Sequence, residues 1–193
     1  MSVLESAAKL ILTPIIVTEP HTIRVEAMIV LAQWVALKIM IGERSRPVDA
    51  VTPLEDRKSF KSSLEIPADF RIWIAKCGTG GWDSKYSRHS LTISKSPIPK
   101  LEHRHKNMHS VAFGIGDLFV LVIHTTVEGI FSADINHSEA LLPLWPIIGP
   151  LTWPPPRSLS GSEAEALAVS LDRETNSPAI HWLPGPVNPV DGV

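Results

Sequence analysis

The stretch from His103 to Thr126, HRHKNMHSVAFGIGDLFVLVIHTT, constrains the fold more than any other part of the chain. Polar and apolar residues alternate towards Phe113, a glycine-containing turn follows, and Leu118 to Ile123 is unbroken apolar. Period-two alternation ending in turn residues predicts a β-hairpin at about 109–125, with its turn at Gly114, Ile115, Gly116 and Asp117. Glycine there accepts the positive φ that tight hairpin turns require. Because side chains alternate along a strand, His103, His105, His109, Val111 and Phe113 share one face. A two-residue loop at Gly116 and Asp117 sets His109 directly opposite His124 and adds Leu118, Val120 and Val122 to that face. A three-residue loop flips the second strand and takes His124 away, so the register decides which histidines meet.

The rest of the chain arranges itself around that hairpin. Val3, Leu4, Ala7, Ala8, Ile11 and Leu12 fall on one helical face, which predicts a short helix ending before Pro14. Thr18 is read as the N-cap of a second helix running to about Ile41, with Gly42 as its stop. That helix is apolar around most of its circumference, as expected of a core helix or of an oligomer seam over 27–41. Residues 43–69 read as a charged loop with one short helix near Leu54 to Leu64. Phe70 to Lys76 alternates cleanly, with Phe70, Ile72 and Ile74 on one face and Arg71, Trp73 and Ala75 on the other. A further strand is expected at about His89–Ser94 and another around Ile130–Ala133.

Residues 141–156, LLPLWPIIGPLTWPPP, carry too many prolines for a helix or a central strand and should lie extended over the core. Ser162 and Glu165 read as the capping box of a helix from Glu163 to about Arg173, before a proline-rich tail anchored by His181 and Trp182. The expectation is one α+β domain over residues 1–193. Its antiparallel sheet is centred on the hairpin, its helices come first, and residues 141–193 wrap the core as a Pro-rich extended segment, a short C-terminal helix and a tail.

Cys77 is the only cysteine, which excludes an internal disulfide and any multi-cysteine zinc site and suits a reducing compartment. Glu5 precedes the first apolar run without a small-residue cleavage site, and the run from Ala27 to Ile41 is short for a membrane span. A soluble, cytoplasmic protein with no membrane span is the expectation. The net charge of −2 conceals a division: residues 1–56 carry −2, residues 57–109 carry +7 and residues 110–193 carry −7.

Two constellations bear chemistry. Lys85, Arg88, Lys95, Lys100, Arg104 and Lys106 make a basic span, with Trp73, Trp82 and Tyr86 nearby for stacking. This combination suits a phosphate-rich partner such as nucleic acid, although a whole-chain pI near 6.4 is low for a dedicated binder. The other is a histidine cluster, His103, His105 and His109 with His124, whose nitrogens could hold zinc or iron and activate a water, Asp117 or Glu128 serving as base. The spacing His103-x-His105, three residues, His109, six residues, Gly116 resembles the first motif of cupin barrels. It departs from that motif in having His109 where Glu is normal, Pro97 where the leading Gly falls, and no second motif around His124. Cys77 before Gly78-Thr79-Gly80-Gly81 reads as a buried thiol in preference to a nucleophile served by His89. The leading expectation is an accessory or binding protein using the basic middle. The alternatives are a metal-dependent hydrolase or oxygenase using the histidines, and an assembly subunit using the 27–41 helix.

Overall fold

The computed structural model describes residues 3–45, 47, 50–78, 82, 85–91, 106–126 and 139–168. In chain order the elements are α1 (Val3–Ile16), β1 (His21–Ile23), α2 (Val25–Ser45), α3 (Leu54–Ser63), β2 (Phe70–Lys76), β3 (Tyr86–Leu91), β4 (Met108–Ile115), β5 (Leu118–Thr125), β6 (Leu141–Trp145), β7 (Leu151–Trp153) and α4 (Gly161–Ala168). The main sheet has the order β3-β4-β5-β2-β6 with antiparallel pairing throughout, and β1 pairs with β7 in a separate ribbon. The fold is therefore α+β, centred on the β4–β5 hairpin. Among the described residues the sheet is open, with β3 and β6 at its edges, unlike the barrel that the cupin resemblance implies.

Both faces of the sheet are covered. Phe70, Ile72, Ile74, Val111, Val120 and Val122 pack with α1 and α2 through residues such as Leu12, Ile15, Leu31, Val35 and Ile39. On the other side Trp73, Ala75, Ala112, Phe119, Leu121 and Ile123 pack with Trp82, Leu159 and the α4 residues Ala164 and Leu167. The alternation in Phe70–Lys76 thus sorts residues between two cores, and β5, flanked by strands and covered twice, is buried along its whole length. That is why its sequence is a continuous apolar run.

Each end of the hairpin meets a different helix. At the turn, Gly116 has φ +56° and lies so close to α1 that a Cβ would come within 2.6 Å of Ile16 Cγ2. Thr18 has φ +60° and closes α1: its N–H donates to the Ile15 carbonyl at 3.1 Å, and Glu19 N–H donates to the Pro14 carbonyl at 2.9 Å. This double bond set is a Schellman ending with Thr in the left-handed position. The Thr18 hydroxyl then donates to Asp117 Oδ2 at 3.1 Å, fastening the hairpin turn to the helix end. The open end of the hairpin lies under the last turn of α2.

Several boundaries differ from the sequence reading. Pro14 lies inside the last turn of α1, where Thr13 Oγ1 donates to the Lys9 carbonyl at 2.8 Å. Thr18 caps no helix start, since β1 intervenes before α2 begins at Val25. Gly42 does not stop α2, which continues to Ser45 because Glu43 is drawn into the core and Arg88 Nη1 donates to the Gly42 carbonyl at 3.1 Å. A helical glycine costs only about 1 kcal/mol relative to alanine, which such contacts offset. α2 has the length and hydropathy of a membrane span, and in this fold Met28, Ala32, Val35, Ala36 and Ile39 face the core.

β3 starts at Tyr86, earlier than expected. The α4 capping box is Ser160 with Glu163 instead of Ser162 with Glu165: Ser160 N–H donates to Glu163 Oε2 at 2.8 Å and Glu163 N–H to Ser160 Oγ at 3.2 Å. The proline-rich segment is extended, as read, with β6 at the sheet edge and β7 on β1. The strand expected around Ile130–Ala133 and the tail with His181 and Trp182 lie outside the described residues.

Candidate functional site

The hairpin loop is Gly116 and Asp117, so His109 pairs directly with His124. Their side chains lie on the α2 face of the sheet, fully buried, with ring centroids 5.2 Å apart and planes inclined at 65°. Above them sits Glu43, also fully buried, which continues the inward stripe Ala32, Val35, Ala36 and Ile39 of α2. One ligand-capable atom from each of Glu43, His109 and His124 lies within 4.8 Å of the others.

The surroundings set the charge of each member. Glu43 Oε1 accepts hydrogen bonds from the Val51 and Thr52 amides at 2.9 and 3.1 Å, and Arg57 Nη2 lies 3.4 Å from Oε2. Burial pushes the Glu43 pKa up, but the His109 ring and the two amides outweigh it and hold the carboxyl down at about 2. Burial likewise depresses His109, more than neighbouring Glu43 raises it, with His124 and Arg88 adding to the depression. The lowered pKa of His109 leaves the imidazole neutral at pH 7, and the lowered pKa of Glu43 leaves the carboxyl ionised there. His124 Nε2 donates to Asp69 Oδ2 at 3.0 Å, which orients the ring and leaves Nδ1 on the side away from Asp69. Thr52 Oγ1 is 3.5 Å from that Nδ1, and Phe70 stacks on the ring at 4.2 Å between centroids.

His109 is the anomaly. Its Nδ1 lies 3.2 Å from Glu43 Oε1, yet neither ring nitrogen is hydrogen-bonded, and Glu43 Oε2 is buried without a hydrogen-bond donor. A buried polar atom left in that condition costs about 1–3 kcal/mol, and coordination of an ion is one way such atoms are satisfied. Two imidazoles and a carboxylate are a donor set for zinc or non-haem iron, and four-coordinate zinc with bonds of about 2.0–2.2 Å places neighbouring ligand atoms roughly 3.3 Å apart. The His109–Glu43 separation already has that length. The other ligand atoms of the cluster lie within 4.8 Å of one another.

Of the expected metal ligands, the fold brings His109 and His124 together, while His103 and His105 lie outside the described residues. Asp117 sits at the turn, at the opposite end of the hairpin from the histidines, where its carbonyl accepts from Cys77 N–H at 2.8 Å. It is not placed to act as their base, and Glu128 is outside the described residues. Glu43 went unread as a ligand. Its signal was a carboxylate continuing an apolar helical stripe at the i+4 position.

Within the basic span, Arg88 shares the sheet face of His109 and turns its guanidinium to the end of α2. Lys85 is half-exposed, 3.8 Å from Glu165 Oε2 and over the Trp82 ring, and Lys106 is partly exposed. Lys95, Lys100 and Arg104 lie outside the described residues. Trp73 and Trp82 are buried in the second core, so among the three aromatics only Tyr86 presents a surface to a base. Cys77 is a buried thiol whose pKa burial raises, and His89 bonds Ser87 at 2.8 Å on the opposite face of the sheet from His109. Compared with known proteins, the chain matches no family model, no curated protein and no solved structure.

Proposed function

We propose that this protein binds one divalent transition-metal ion, zinc or ferrous iron, through Glu43, His109 and His124. The observation that carries the reading is His109: wholly buried, without a hydrogen bond at either nitrogen, and 3.2 Å from an anionic carboxylate oxygen. The protonation states of His109 and Glu43 support it, since a metal needs neutral imidazole and ionised carboxylate and burial and hydrogen bonding favour those forms at these two residues. Asp69 supports it too, because a carboxylate on the far nitrogen of a ligand imidazole orients the ring and raises its basicity. Such an ion would join the last turn of α2 to β4 and β5, whose side chains close over it. Its first role in this reading is to hold helix and sheet together, and any hydrolytic or oxygenase chemistry would be added to that.

The test is elemental analysis of protein purified without an affinity tag or chelator, followed by titration with zinc, ferrous iron and cobalt. About one ion per chain is expected, with the visible bands of cobalt bound to nitrogen and oxygen, and both are lost in His109→Ala and His124→Ala. Retention of the far-ultraviolet spectrum in those variants separates lost ligation from lost folding. Metal-free wild-type protein that takes up none of the three ions overturns the proposal.

A further inference from the structure

Resting on the metal site just described, we infer that Arg57 is a built-in competitor of the ion, occupying Glu43 when the metal is absent and lowering the affinity for it. Arg57 is in the first turns of α3, and its own amide donates to the Pro53 carbonyl at 3.2 Å. Its Nε and Nη2 donate to the Thr52 carbonyl at 3.0 and 2.8 Å, which steers the guanidinium over Glu43. Nη2 ends 3.4 Å from Oε2, the carboxylate oxygen that has no hydrogen-bond donor.

The two oxygens of Glu43 thus have separate neighbours. Oε1 is committed to the Val51 and Thr52 amides and faces His109, whereas Oε2, which has no hydrogen-bond donor, has the Arg57 guanidinium beside it. An unpaired buried carboxylate is costly, and Arg57 supplies the counter-charge in the metal-free protein. A dication on the same carboxylate removes that need and places like charges a few ångströms apart in a poorly screened site. Arg57 can leave, because its side chain is one-quarter exposed while Glu43 is fully buried. Metal uptake therefore displaces Arg57 towards solvent and weakens its hold on the Thr52 carbonyl. α3, which otherwise buries only Phe60, is then the element whose attachment reports metal loading.

The discriminating experiment compares zinc affinity, by competition with a chromophoric chelator, in wild type, Arg57→Gln and Arg57→Lys, with the urea midpoint of each metal-free protein. Arg57→Gln should bind zinc about tenfold more tightly, since the like charge is gone, while being less stable without metal. Arg57→Lys, which keeps the charge, should bind within about twofold of wild type. A residue with a merely structural role would lower stability and affinity together. Equal or weaker zinc binding by Arg57→Gln overturns the inference, as does an equal gain in both variants, which would assign the effect to the Thr52 contact and not to charge. Zinc binding by none of the three overturns the underlying metal site and this inference with it.

Discussion

His109 and His124 face each other across neighbouring strands of one hairpin, and the carboxylate that completes their cluster comes from a helix laid over the sheet. The hairpin alone therefore supplies an incomplete site. Glu43→Gln keeps the side-chain shape and an acceptor for the Val51 and Thr52 amides while removing the charge. Metal-free protein should lose about 2 kcal/mol, within the range for hydrogen bonds to a charged group, and metal uptake should fall to background. Urea denaturation and elemental analysis read the two effects, and unchanged values in both would remove Glu43 from the site.

Asp69 is the second carboxylate of the region, and it touches His124 from outside the cluster. Asp69→Asn should leave the fold intact and weaken metal binding about 10- to 100-fold, the usual effect of losing such an outer partner. Histidine nitrogen chemical shifts should show the His124 proton redistributed between Nδ1 and Nε2. Wild-type affinity in Asp69→Asn would mean that the ring is oriented by Phe70 stacking alone.

Gly116→Ala tests the close approach of hairpin and helix. The new Cβ would meet Ile16 Cγ2 at 2.6 Å on a backbone with φ +56°, so strain and overlap act together. A loss of about 2 kcal/mol is expected in urea denaturation, from the left-handed penalty and overpacking combined. A neutral result would mean that the turn and α1 separate easily.

The pH dependence of α4 follows from Glu163. Hydrogen bonding to the Ser160 amide, the Arg157 guanidinium and the Ser160 hydroxyl hold its pKa down at about 2, from 4.5. A lowered folded pKa means that the unfolded chain binds more protons in between. The contribution to stability is thus fully present above pH 4.5 and is lost as the pH falls towards 2. Solvent screening at this exposed pair keeps it small. Ser160→Ala should cost about 1 kcal/mol at neutral pH, as loss of an N-cap does, and should flatten the acid limb between those values. An unchanged acid limb would assign it to other carboxylates.

What was legible in the sequence was local. Phe70–Lys76 and the hairpin announce themselves by a period of two, but two- and three-residue loops are both compatible with Gly114–Asp117, and the fold alone selects the register that pairs the histidines. The two-sided burial of β5 is written in its uninterrupted apolar run. Glu43 was not legible because nothing near it in sequence says which strand its helix face will cover. Thr18 misled for a different reason: Thr-Glu-Pro reads as a helix start, but the same residue ends the preceding helix in a left-handed turn. In Ser-Gly-Ser-Glu-Ala-Glu two capping boxes overlap by two residues. The pairing of Arg157 with Glu163 at 2.7 Å, together with docking of Leu159 beside Cys77, selects the earlier one.

The prolines of β6 bear on how copies of this chain behave towards one another. An outermost strand normally offers a row of backbone donors and acceptors on which a neighbouring molecule can add its own strand, the first step of aggregation. Among the described residues β6 is such a strand, but it is five residues long, contains Pro143, and is followed at once by Pro146, neither of which has an N–H to offer. The same residues that keep this segment out of the sheet centre therefore make that side of the sheet a poor template for self-association.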